Sequence, residues 1–353
     1  MTGTSEFPLP ASSGIEWHQA SAETNDGLPS NLKRSEITAI MGAPPTMGLQ
    51  GWLHENLRIN VGLGAQERAQ REEQVEDLKR DRIRDLEVVA RIGREMVRTN
   101  GYAGFLNVMS EKGGCGKTTL VCLLAYELEV IRRERIVVTD INPDKGSLSS
   151  RMGVSPKYSL KDMIEAYDDI VRGDRRVSDF LSPVGSTGIN VLSGDMNPDY
   201  RQETSEMDVI KTFQLLAPVA SMVLLDNGTG ITHSALSGSL QVSHGMALIM
   251  ENTLDAEDFI QDTLTFLQKN RHDDLRRRLV LVINDKAAIT PERSRQMIDD
   301  LMLKFNHQVR GIVVIPFDRS IAEGGPIDFK QVGGETRKAI RHLAALLMDD
   351  MIR

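Results

Sequence analysis

Residues 110–120 read SEKGGCGKTTL, and Gly113, Gly114, Cys115, Gly116, Lys117, Thr118 and Thr119 within them form a run suited to holding phosphate. Glycines let the backbone wrap an anion with its N–H groups. An apolar stretch, 105–109, runs into the loop and a helical pattern leaves it at Leu120, so a helix N-terminus adds partial positive charge at the same place. Lys117 would then reach the terminal phosphate oxygens, and the Thr118 hydroxyl would ligate magnesium. Two departures stand out. The first glycine of the strict pattern G-x-x-x-x-G-K-[ST] is Glu111, and a second lysine, Lys112, sits just inside the loop.

Two carboxylates follow at strand ends. TDINPDKGSLS (139–149) places Asp140 after a short apolar run, and SMVLLDNGTG (221–230) does the same for Asp226. Open parallel sheets bind ligands at the C-terminal ends of their strands. In isolation, an Asp in that position caps a helix about as often as it serves a ligand. The histidines show no metal-ligand spacing. Arg276, Arg277 and Arg278, with Arg271 and His272 nearby, form the strongest basic cluster. Asp273 and Asp274 flank it and no aromatics interleave, so a solvated face is favoured over a nucleic-acid surface.

These residues need a scaffold, and the pattern supplies one. Strands are expected over 103–109, 135–139, 189–192, 221–225, 245–250, 279–283 and 311–315, most of them continuous apolar runs suited to burial on both faces of a parallel sheet. Helices are expected over 117–134, 160–171, 255–270, 291–305 and 335–351. The alternation predicts an α/β fold, a three-layer, doubly wound, mostly parallel sheet over residues 101–353, with an N-terminal helical extension. Residues 1–50 mix Pro, Ser, Gly and scattered charges and read as a largely disordered or partner-binding arm. Residues 51–100 join an apolar segment, GWLHENLRINVGLG at 51–64, to a charged helix with one apolar stripe that includes Val75, Leu78, Ile83 and Ile92.

Composition narrows the class further. A net charge of −8 gives no global basic signature for nucleic acid or an anionic membrane. The two cysteines, Cys115 and Cys122, lie in one loop-helix segment, which suits a reducing cytoplasm better than a disulfide framework. No basic n-region precedes an apolar h-region and no run of about 18 apolar residues occurs, so neither a secretory leader nor a membrane span is expected. The terminal amphipathic stretch carries Asp349 and Asp350 and few cations, so it is expected to pack on the core, leaving any membrane role indirect.

KGGCGKTT at 112–119 resembles the deviant Walker A loop of the ParA/MinD family of dimerising ATPases. That resemblance implies ATP with magnesium as ligands and a homodimer in the ATP state. It also implies that Lys112 crosses to the partner's nucleotide, where it would offset the repulsion between two sandwiched triphosphates. Asp226 is similar to a Walker B aspartate on magnesium, with 228–230 as the mobile switch that follows it. The family pattern after the second strand is Asp-x-Asp; here it is Asp140 and Asn142, and an amide hydrogen-bonds water without acting as a base. Nucleotide binding is therefore expected, with hydrolysis slow. For the base, the resemblance implies Asn284 at a strand end, with Pro316 and Phe317 beside it. The wording of NPDKGSL and DNGTGITHSAL is similar to MinD-like proteins associated with actinobacterial type VII (ESX) secretion, implying a protein partner in a secretion or positioning system. A non-hydrolysing scaffold and a plasmid or chromosome partition ATPase are the alternatives.

Overall fold

The computed structural model describes residues 34–60, 62–96, 103–110, 112–141, 146–194, 204–229, 234–253, 255–286 and 290–352. They form two compact units, Leu28–Arg91 and a larger one containing Ile92–Arg353. Asn142, Glu111 and Gly230 lie outside the described residues.

The larger unit is built on eight strands: β1 Gly104–Ser110, β2 Ile136–Asp140, β3 Ser182–Pro183, β4 Ile189–Leu192, β5 Met222–Thr229, β6 Gly245–Glu251, β7 Leu279–Asn284 and β8 Gly311–Ile315. Their order is β3-β4-β2-β5-β1-β6-β7-β8, and every pairing is parallel except the short edge pair β3–β4. Both faces of the sheet are apolar, and this requires helices on each side. On one side Val137, Val223 and Leu225 pack with Leu160, Met163, Phe180, Val209 and Phe213. Further along, Met246, Leu248, Leu281 and Ile283 meet Phe259, Ile260, Leu264 and Phe305. The intervening residues Leu106, Val138, Leu224 and Val282 are also fully buried. Helix Lys117–Arg132 lies against β1, β2 and β5 and against the last helix, Gly334–Met348. That last helix is docked inward, with Ile340, Leu343, Ala344 and Leu347 buried and Arg341 paired with the buried Glu127.

Register decides what meets at the C-terminal edge. Asp140 of β2 is the cross-strand partner of Asp226 of β5, and Val108 of β1 is the partner of the same Asp226. The chain then leaves β1 for the glycine-rich loop. Asp226 therefore stands directly beside that loop, with Asp140 one strand further out. β1 is also where the order of strands reverses: β2 to β5 all lie on one side of it, and the chain then crosses from β5 past β1 to β6, β7 and β8 on the other.

Three expectations need correction. Strand β5 continues through Asn227, Gly228 and Thr229, so two residues expected in a mobile switch are in the sheet. They stay there because Asn227 exchanges hydrogen bonds with buried Asn107 and Ser239. The helix expected over 160–171 is two helices, Leu160–Glu165 and Tyr167–Arg172, broken at Ala166. Finally, the arm expected through residue 50 contains helix Arg34–Met41 and the start of helix Gly48–Leu57.

The smaller unit explains that last difference. Its long helix, Ala65–Ile92, carries Glu67 and Arg71 one turn apart. Glu67 accepts from the Thr46 and Met47 backbone N–H groups at 2.9 and 3.2 Å and from the Thr46 hydroxyl at 2.9 Å. Arg71 donates to the carbonyls of Ile40, Ala43 and Pro44 at 3.0, 2.6 and 2.7 Å, and to Glu67 at 2.6 Å. One buried ion pair thus satisfies the turn between two short helices, which local propensity alone would not hold. Of the long helix's apolar stripe, Val75 is buried whereas Leu78 and Ile83 are exposed.

Candidate functional site

Lys117 and Thr118 open the helix that follows the glycine-rich loop, and both side chains turn toward Asp226. Lys117 Nζ lies 3.0 Å from Asp226 Oδ1, and the Thr118 hydroxyl donates to Asp226 Oδ2 at 2.6 Å. Asp226 is 1% exposed and Lys117 7%, so the pair is shielded from water. An acceptor-only carboxylate beside a hydroxyl suits a hard divalent cation, and the adjoining ammonium suits phosphate. Asp140, 2% exposed, completes the row. Gly146 and Gly194 back it, since a Cβ on Gly146 would strike the Asp140 carboxylate and one on Gly194 would stand 3.2 Å from its carboxyl carbon.

The loop has the form an anion cradle requires. Gly114 and Gly116 have φ of 84° and 96°, values that glycine adopts without strain. A Cβ on Gly113 or Gly114 would meet nothing within 4 Å, so open space faces the loop at both. A Cβ on Gly116 would instead stand 2.8 Å from Asn284 Nδ2, because that amide is already in place, donating to the Cys115 carbonyl at 2.8 Å. Lys286, two residues further, donates to the Gly114 carbonyl at 2.7 Å. The end of β7 and the residues just after it thus tie down two loop carbonyls. Cys115 is buried with its Sγ on the Lys112 carbonyl, and burial pushes its thiol pKa up, so it is a packing residue of the loop. Burial likewise drives the Cys122 thiol upward. Lys112 is exposed and meets Asp255 of the same chain, Nζ to Oδ2, at 2.9 Å.

Beside the loop lies a cavity of about 580 Å³. Gly116 and Thr119 of the loop and its helix, Asn284 and Lys286 at the end of β7, and Pro316 and Phe317 after β8 all line it. A mostly apolar cleft with a few polar groups is the usual form of a small-molecule site. The structure therefore brings together Gly113 to Thr119, Asp140, Asp226, Asn284, Pro316 and Phe317. It also adds residues the sequence did not single out. Lys286 was legible as a cation two positions past a strand end. Arg151, whose Nη2 lies 2.9 Å from Thr119 Oγ1, gave no local signal.

The topology and the strand-loop-helix at its centre define a P-loop NTPase fold. The chain belongs to the CobQ/CobB/MinD/ParA nucleotide binding domain family, whose model matches residues 106–325. It is also 28% identical over 313 residues to the ESX-1 secretion-associated protein EspI of Mycobacterium tuberculosis, covering 87% of this chain and 42% of that relative. The chain thus spans less than half the length of the curated relatives it matches. Among solved structures it is similar to the cell division ATPase MinD of Pyrococcus furiosus, with a TM-score of 0.52, 20% identity, and 70% of this chain and 99% of the other covered. The septum site-determining protein MinD of Pyrococcus horikoshii, complexed with Mg-ADP, matches with a TM-score of 0.51 at 20% identity, covering 69% and 94% of the two chains. Among the described residues no helix is long and apolar enough to cross a membrane.

Proposed function

We propose that this chain is an ATP-binding, slowly hydrolysing molecular switch that dimerises face to face with ATP and serves a type VII secretion or protein-positioning system from the cytoplasmic side. The observation that carries the reading is the shared carboxylate: Asp226 holds Lys117 at 3.0 Å and Thr118 at 2.6 Å beside a loop with open space at Gly113 and Gly114. The same groups suit a magnesium nucleotide, and a fold neighbour, the MinD of Pyrococcus horikoshii, is complexed with Mg-ADP. Bound magnesium supplies charge neutralisation at the phosphates. In this reading Thr118 and Asp226 hold the ion, Lys117 and the amides of 113–119 hold phosphate, and Asn284, Pro316 and Phe317 border the base. Lys112 serves the partner's site, which requires that it leave Asp255. The secretion assignment rests on the likeness to EspI.

A partition ATPase would use a free basic face. Here Arg277 is paired with Asp274, Arg278 with Asp350 and Arg276 with Gln268, which favours the switch over DNA binding. Light scattering after size exclusion, in ADP, ATP and a slow ATP analogue, tests the proposal. A dimer confined to the triphosphate states is expected for the wild type and a weakened one for Lys112→Ala. A wild type that stays monomeric in every state would overturn the switch, while a Lys112→Ala dimer as strong as wild type would remove only the role across the interface.

A further inference from the structure

Arg151 closes a short helix, Leu148–Arg151, that begins eight residues after Asp140. Arg151 is half-buried, lines the cavity, and bridges Thr119 to the 321–325 backbone. Nη2 meets the Thr119 hydroxyl at 2.9 Å and the Ile321 carbonyl at 3.4 Å, and Nη1 meets the Gly325 carbonyl at 2.9 Å. The Gly325 carbonyl is aimed by two successive left-handed glycines, Gly324 and Gly325, at φ of 81° and 71°. The backbone is tied at the same point, since Ile327 N–H donates to the Arg151 carbonyl at 2.8 Å.

The charges around the cavity are unevenly answered. Lys286 has Glu251 as its partner. Asp318 accepts the Ser320 N–H and hydroxyl at 3.0 and 2.7 Å and the Gly333 N–H at 2.8 Å. Arg151 meets only neutral acceptors among the described residues, yet a guanidinium carries five N–H donors and a permanent charge. A half-buried guanidinium that meets no carboxylate keeps its fork available to an anion that arrives with a ligand.

Position says which anion. Lys117 and Thr118, both on Asp226, directly precede Thr119 in the helix that follows the loop. Thr119 in turn lines the cavity together with Arg151, Pro316 and Phe317, so it links the Asp226 end of the site to the residues that border the base in the reading above. We propose that Arg151 is a further ligand-contacting residue that takes the phosphate next to the sugar of the bound nucleotide, bracing it against Thr119 and clamping the 321–325 segment over it. This rests on the nucleotide-binding reading above.

The test uses the full chain and Mg-ADP in calorimetric titrations of wild type, Arg151→Lys and Arg151→Met, with the ligand-free melting temperature of each. Losing a charge-assisted hydrogen bond predicts Mg-ADP binding about 10- to 100-fold weaker for Arg151→Met. Arg151→Lys keeps the charge while losing the fork to the two carbonyls, so it is expected to retain most of the affinity. Arg151→Met binding as tightly as wild type would overturn the proposal. So would Arg151→Lys and Arg151→Met failing equally, since the arginine would then act only through the wall it braces. A wild type that binds no Mg-ADP is a different result, and it removes the nucleotide reading itself.

Discussion

Lys112 Nζ stands 2.9 Å from Asp255 Oδ2, an ion pair that runs from the glycine-rich loop to the residue preceding helix Ala256–Lys269. Both side chains are more than half exposed, at 55% and 71%, so salt and water weaken the contact. An exposed pair of this kind contributes roughly 0–1 kcal/mol. Asp255→Asn should therefore leave thermal unfolding unchanged. If Lys112 works across a dimer, the same substitution removes this competing contact and should strengthen triphosphate-dependent association by about 2- to 5-fold, an effect that shrinks in high salt. Sedimentation at two ionic strengths measures it, and weaker association in the variant would contradict the trans role.

The Lys117–Asp226 pair is different because both groups are buried. Removing one partner leaves the other charged in a poorly hydrated place, which costs more than the pair itself contributes. Lys117→Met and Asp226→Asn are each expected to destabilise the chain, and the double variant to cost less than their sum by roughly 0.5–3 kcal/mol. Denaturant unfolding of the four proteins checks this. Strict additivity would mean that the two side chains do not sense each other.

Gly116 combines a left-handed backbone with a close neighbour, φ 96° and Asn284 Nδ2 2.8 Å from an added Cβ. Gly116→Ala should destabilise the loop by about 1–3 kcal/mol through both causes. Adding Asn284→Ala relieves the contact and not the dihedral, so the double variant should recover part of the loss. Full recovery would show that the dihedral costs nothing, and none would show that Asn284 moves aside freely.

Glu67 gives a pH dependence with a defined sign. Burial opposes its charge, yet the bonds from Thr46, Arg71 and Met47 outweigh that and hold its carboxyl at about 2, below the ordinary 4.5. Its contribution is thus complete above the ordinary value and is lost as pH falls through about 2. Hydrogen exchange in the full chain should show Thr46 and Met47 amides protected near neutrality and released below pH 4.5, approaching the Glu67→Gln level near pH 2. Equal protection in wild type and Glu67→Gln at neutral pH would refute the tie.

What the sequence disclosed follows from how local each signal is. β4 and β8 match their expected bounds because short apolar runs between polar turns have few other readings. The glycine-rich loop was legible because its chemistry is written in consecutive residues. β5 was read short because Asn227 and Gly228 look like a strand end, and only the distant Asn107 and Ser239 explain their burial. Residues 34–50 read as an arm because the groups that order them, Glu67 and Arg71, lie a helix away. Arg151 was missed for the same reason, being brought to Thr119 from 32 residues away by the fold alone.

The turnover rate tests the remaining departure from the family pattern, Asn142. Asp140 is fixed beside Asp226 by strand register and is backed by two glycines, so the row already holds two carboxylates without it. An amide at 142 can hold a water by hydrogen bonding but accepts no proton. Phosphoryl transfer relies mainly on positioning and charge neutralisation, so in the proposed switch an amide would slow the reaction rather than abolish it. Asn142→Asp is expected to raise steady-state phosphate release from ATP by about 10- to 100-fold, short of the full contribution of a well-placed general base. Mg-ADP affinity should stay the same, because the change lies outside the glycine-rich loop proposed to hold phosphate. An unchanged rate with unchanged affinity would mean that some other step limits turnover, with product release or separation of the dimer the first to measure.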